Sequence, residues 1–247
     1  NVLEGYNANE INNQLKKVMK DYPMPPGTKY EFTGEQEEQA ESMAFLSKAL
    51  IIALALIMII LVSQFNSFVK PAIIMFSVVM STIGVFGGLA TFKMDFIVIM
   101  TGIGIVSLAG VVVNNAIVLI DYIGLLKKIK KKELSLEEGE YLPNDVARQC
   151  IIDAGRTRLR PVLLTAITTI LGLMPLAVGF NIDFISFFNT FDPDIYFGGD
   201  NSLFWGPMSW TVIFGLSFAT FLTLVIVPSL YHVLYEAKVK MSNWRNK

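Results

Sequence analysis

Five stretches of this sequence are each long and apolar enough to cross a bilayer, and no other feature limits the fold so tightly. A helix that crosses the hydrocarbon core needs about 20 predominantly apolar residues. The stretches run from about Ala44 to Val62, Pro71 to Phe92, Phe96 to Tyr122, Pro161 to Phe180 and Pro207 to Tyr235. Lipid offers no hydrogen bonds to a bare backbone, so segments of this kind cross as helices. The charge deficit has the same origin. Only 17% of the 247 residues are charged, against about 25% in an ordinary soluble domain, and the shortfall lies in these stretches. The expected fold class is mainly α: a polytopic membrane helix bundle of five transmembrane helices, with a short α+β tail at its amino end.

Lysine and arginine placement sets the orientation, because short cytoplasmic connections carry the excess of both. The connection 125–160 holds Lys127, Lys128, Lys130, Lys131, Lys132, Arg148, Arg156, Arg158 and Arg160, and the tail 236–247 holds Lys238, Lys240, Arg245 and Lys247. The loop 181–206 has neither residue type and carries Asp183, Asp192, Asp194 and Asp200. The expected arrangement has the connection and tail inside, and the loop and residues 1–43 outside. Export of that polar amino-terminal segment, with no signal peptide pattern before it, implies further spans upstream. Within it, Asn9 to Asp21 has helical spacing through Ile11, Leu15 and Val18, and Thr28 to Thr33 alternates as a short strand. The polar run Glu35 to Glu41 is expected to lead as a helix into the first span, so the chain divides at 1–43, 44–235 and 236–247.

Polar groups inside a membrane are costly, which makes each a functional candidate. On the third span Ser107, Asn114 and Asp121 recur every seven residues and so share a helix face, with Asn115 adjacent and Gly102, Gly104 and Gly110 offering room for a neighbour. The fourth span repeats the pattern with Arg158, Thr165 and Gly172. Two readings follow. The stripes face each other and respond to protonation elsewhere, or they are static packing in which Asn and Thr hydrogen bonds hold helices together. The aromatic loop residues Phe184, Phe187, Phe188, Phe191, Tyr196, Phe197, Phe204 and Trp205 suit either a substrate entry surface or an interfacial belt. Leu142 to Ile152 has the pattern of an amphipathic helix lying on the membrane.

Absences narrow the chemistry. One cysteine, Cys150, and one histidine, His232, exclude a disulfide framework and a multi-His/Cys metal centre from this chain. There is no GxxxxGK[ST], HExxH or GxSxG motif. The near-neutral net charge of -1 gives no argument for nucleic acid. No cofactor and no enzymatic activity are expected, and transport energy has to come from an ion gradient or a partner.

Five segments, in order along the chain, resemble the resistance-nodulation-division (RND) efflux transporters. GTKYEFTGEQEEQAES (27–42) is similar to the end of their periplasmic porter domain, and QFNSFVKPAIIM (64–75) to a cytoplasmic turn of their carboxy half. GVVVNNAIVLIDY (110–122), RTRLRPVLLTAITTILGLMPLA (156–177) and ATFLTLVIVPSLYHVLY (219–235) resemble their tenth, eleventh and last membrane helices. The resemblance implies a carboxy-terminal fragment of a proton-driven, inner-membrane, homotrimeric pump. Such a pump exports hydrophobic and amphiphilic compounds with a periplasmic adaptor and an outer-membrane channel. It further implies that residues 1–43 close a porter domain.

The proton relay carries over in part. Where drug pumps of the family place a lysine on the tenth helix, this chain has Asn114, followed by Asn115, while the arginine and threonine of the eleventh helix match Arg158 and Thr165. An amide hydrogen-bonds but cannot neutralise a carboxylate. The acids expected upstream would therefore titrate without a neighbouring ammonium and protonate more easily. A metal exporter, a lipid exporter and a non-transporting scaffold are the alternatives.

Overall fold

The computed structural model of the chain describes residues 35–136, 140–183 and 194–245, together with residues 14, 15, 17–19, 22 and 25. The order of elements is α1 (Glu35–Phe65), α2 (Val69–Thr91), α3 (Val98–Glu133), α4 (Asn144–Val178), β1 (Phe180–Asp183), β2 (Asp194–Phe197) and α5 (Asp200–Arg245). All five helices are long and apolar enough to cross a membrane, and the chain is a multi-pass membrane protein. Residues 14, 15 and 17–19 are helical, inside the helix expected over Asn9 to Asp21. The expected strand Thr28 to Thr33 lies outside the described residues, as do Phe184, Phe187, Phe188 and Phe191. Residues 1–38 and 39–247 form separate compact units.

Local chemistry explains where the helices stop. Asn66, Lys93 and Ser135 adopt positive φ values of 44°, 52° and 51° just past the ends of α1, α2 and α3. That conformation ends a right-handed helix, and Asn tolerates it best of the three because its short amide hydrogen-bonds locally. Pro71 falls in the first turn of α2, where its missing N–H is no loss. At the end of α4, Gly179 takes the left-handed conformation and its N–H donates to the Pro175 carbonyl. The freed Ala177 carbonyl accepts a 2.8 Å hydrogen bond from Trp210 Nε1 of α5. A terminal backbone group is thereby satisfied from another element.

The expected edges change in two places. The helix of the fifth span begins at Asp200, so Phe204, Trp205 and Pro207 sit inside it. The loop before it contains a two-stranded antiparallel hairpin with Phe180 opposite Phe197. The second change is a correction. Leu142 to Ile152 is not a separate helix on the membrane surface, because residues from Asn144 onward continue without a break into the fourth span. Leu142, Ala147, Cys150, Ile151 and Ala154 are buried against protein. A continuous α4 lets these apolar side chains join the bundle, which removes their reason to rest on lipid.

Helix α5 is the hub and packs against α2, α3 and α4. Small residues make this possible. A β-carbon at Gly84 of α2 would lie 2.9 Å from Phe218 Cγ, and one at Gly88 would lie 2.6 Å from Phe214 Cβ. One at Gly104 of α3 would lie 2.8 Å from Thr211 Cβ, and one at Gly215 of α5 would lie 2.8 Å from Val85 Cγ2. Lipid tails are as apolar as leucine, so close backbone approach supplies van der Waals contact where the hydrophobic effect supplies little. The core formed in this way contains Ile74, Val85, Leu108, Leu119, Ile120, Ile123 and Leu216. Helix α1 stays at the edge. It buries Leu61 but exposes Phe45, Ile51, Ile52, Leu56, Ile59 and Ile60.

Candidate functional site

Adjacent helical residues point about 100° apart, and α3 uses that offset to divide its polar positions. The buried seam carries Thr101, Gly104, Leu108, Val112, Asn115 and Leu119. Asn115 is buried, whereas Ser107, Gly110, Asn114 and Asp121 are exposed. On α4 the inward positions are Val162, Ala166 and Ala177. Thr165 and Gly172 are exposed and Arg158 is half-buried.

Packing of the two stripes against each other was one expectation, and here it needs correction. A β-carbon added at Gly110 or Gly172 would meet nothing within 4 Å. The neighbours of α3 occupy the seam one residue round from the stripe. For the threonines, interhelical hydrogen bonding is corrected as well. The Thr165 hydroxyl donates to the carbonyls of Pro161 and Val162. Thr168 bonds Leu164 and Thr165, and Thr169 bonds Thr165. These hydroxyls are spent on their own helix, a common choice for Ser and Thr within helices.

One member does link the helices. The Arg158 guanidinium carbon sits 4.4 Å from the centre of the Tyr122 ring, next in sequence to Asp121. Arg158 Nε is buried with no hydrogen-bond partner among the described residues. Helices α3 and α4 run in opposite directions, so this contact sets their relative height. Moving back eight residues from Tyr122 along α3 gives Asn114, and moving eight forward from Arg158 along α4 gives Ala166, a climb of about 12 Å on each helix. Asn114 and Thr165 therefore lie at similar depths, and both are exposed.

A second cluster involves the lysine run that set the orientation. Lys127, one of that run, is 7% exposed. Its ammonium lies over the rings of Tyr235, at 3.1 Å from the centroid, and Tyr231, at 4.9 Å. The Tyr235 hydroxyl donates to the Leu142 carbonyl at 3.1 Å and so ties the connection to α5. The available signal was the i, i+4 pair of tyrosines near the end of the last span. His232, between them in sequence, faces Glu236 at 3.6 Å. Lys48 is exposed on α1.

Comparison with known proteins gives this arrangement its family. The family described as AcrB/AcrD/AcrF matches residues 1–182. The chain belongs to that family of RND permeases. Among its curated members, the swarming motility protein SwrC of Bacillus subtilis (strain 168) is 33% identical over 95% of this chain and 19% of its own length. The multidrug resistance protein MdtC of Photorhabdus laumondii subsp. laumondii is 27% identical over 94% of this chain and 19% of its own. Among solved structures, a crystal structure of a heavy metal efflux pump superposes with a TM-score of 0.68 at 26% identity, over 94% of this chain and 20% of that one. The chain spans about a fifth of the length of these RND relatives.

Proposed function

We propose that this region is the carboxy-terminal part of the permease subunit of a proton-driven efflux pump. The pump sits in the inner membrane as a homotrimer and exports hydrophobic and amphiphilic compounds through a periplasmic adaptor and an outer-membrane channel. The basic ends of α3, α4 and α5 face the cytoplasm, and the β1–β2 hairpin faces the periplasm. The observation that carries the coupling role is the exposed face of Ser107, Asn114 and Thr165. Polar side chains at bilayer depth turn toward protein or water rather than lipid. The rest of the permease therefore covers this face and presents the titrating carboxylates to it. Asn114 offers that surface an amide for hydrogen bonding, Asn115 beside it faces the packed seam, and Arg158, stacked on Tyr122, supplies positive charge.

The test is efflux of an amphiphilic dye from cells that express the full-length permease, with and without a protonophore. Dye extrusion that stops when the proton gradient collapses supports the reading, and extrusion indifferent to the gradient refutes it. Asn114→Lys in the same protein should lower the pKa of the facing carboxylate and move the pH profile of efflux to the acid side. An unmoved profile would refute the inferred proximity. The likeness to a heavy metal efflux pump favours a second reading, metal export, and metal tolerance of the same cells separates the two.

A further inference from the structure

At the lysine-rich end of the bundle, α2, α3, α5 and the residues Tyr141 and Leu142 line a pocket of about 550 Å³. Five of its lining residues are Lys70, Lys127, Lys128, Lys131 and Lys238, and among the described residues no carboxylate side chain lines it. Its other wall is apolar, with Ile73, Leu142, Leu234 and Met241. Among the described residues, no ion pair neutralises any of the five; Lys131 donates to the backbone carbonyl of Glu140. Lys127 is the decisive member. Its Nζ is buried and has no hydrogen-bond acceptor among the described residues, although Tyr231 and Tyr235 stack against it. A buried ammonium costs several kcal/mol unless an anion or acceptors compensate it. The tyrosine faces attract the cation but accept none of its three N–H bonds in the plane where a phosphate oxygen would.

We propose that this pocket binds an anionic phospholipid, its phosphate held by Lys127 and the surrounding lysines and an acyl chain laid along the apolar wall. The combination is specific to such a ligand. A soluble anion would have no use for Ile73, Leu234 and Met241, and a neutral lipid would leave the ammonium unpaired. Basic pockets between membrane helices on the cytoplasmic side suit acidic headgroups. The site is independent of the efflux reading and survives or fails on its own.

The test uses the full-length protein, purified in mild detergent and equilibrated with equal amounts of phosphatidylglycerol and phosphatidylcholine. Lipid retained per protomer is then measured by mass spectrometry. Wild type should keep phosphatidylglycerol selectively. The Lys127→Gln/Lys128→Gln variant should lose that selectivity by about 25-fold, roughly fivefold for each lysine. Lys127→Arg should keep it, which separates lost charge from misfolding. Lys130→Gln/Lys132→Gln, outside the pocket, should also keep it. Equal retention of the two lipids by wild type would overturn the proposal and mean that another part of the polypeptide fills the pocket. Displacement of phosphatidylglycerol by millimolar inorganic phosphate as readily as by added lipid would overturn it in favour of a free-phosphate site.

Discussion

Gly88 and Gly87 are neighbours on α2 that meet different surroundings. Substituting each by alanine isolates the close approach of α2 to α5. A β-carbon at Gly88 would stand 2.6 Å from both Cβ and Cδ2 of Phe214, while one at Gly87 meets nothing within 4 Å. Phe214 cannot swing aside cheaply, because its ring stacks on Phe92 at 5.1 Å and on Trp210 at 5.3 Å. Its Cβ is fixed by the α5 backbone. Replacing glycine by alanine inside a helix is favourable by about 0.8–1.0 kcal/mol through backbone propensity, and that gain is common to both variants. The difference between them is then the overpacking term, about 1–3 kcal/mol, or a factor of about 5 to 150 in the folded population. The assay is reversible unfolding of the full-length protein in mixed micelles with increasing SDS. Gly88→Ala should unfold at clearly lower SDS than Gly87→Ala. A Phe214→Ala background should shrink the gap, since neighbours in contact couple in double-mutant cycles. Equal midpoints for the two single variants would show that α2 and α5 do not approach as closely as described.

Three further outcomes are expected. Trp210→Phe leaves the Ala177 carbonyl without its donor and should cost about 1 kcal/mol, read in the same SDS titration; no loss would mean that the carbonyl finds water or another donor. Cys150 is buried among Leu142, Ala147 and Ile151. It should resist a water-soluble maleimide in native membranes and react after denaturation, with modification followed on the peptide that contains it; rapid native labelling would contradict the burial. Gly110→Leu and Gly172→Leu should leave the α3–α4–α5 packing intact yet, on the proposal that the rest of the permease covers these positions, impair dye efflux by the full-length protein; normal efflux would place lipid there.

The five helices were legible because twenty apolar residues in a row admit few other structures, and the turn at Asn66 and the lead-in from Glu35 follow from local chemistry. The length of α4 was not legible. Residues 144–160 are polar enough to look like a loop with an amphipathic patch, and only the packing of Ala147, Cys150 and Ala154 against the bundle shows why the helix never breaks. The residues of the polar stripe lie on exposed positions and not in the contact between α3 and α4. Period seven identifies a shared face, but it does not say which partner takes that face. The structure gives the adjacent seam of Gly104, Leu108 and Asn115 to the packed interior. Lys127 was hidden for the opposite reason. In sequence it is one lysine among five between 127 and 132, and only the height of Tyr231 and Tyr235 on a distant helix singles it out.

Helix α3 runs for 36 residues from Val98 to Glu133 with no proline, unlike α4 and α5, each of which contains two. Its hydrogen-bond ladder is therefore free of the proline interruptions that α4 and α5 each contain. Asn114 and Lys127 are mounted on it about 20 Å apart along the axis and on nearly opposite sides. A roll of about 20° about that axis would sweep side chains at a radius of about 6 Å through some 2 Å at both stations together. On the two proposals made above, the face at Asn114 and the pocket at Lys127 would therefore be two ends of one proline-free element.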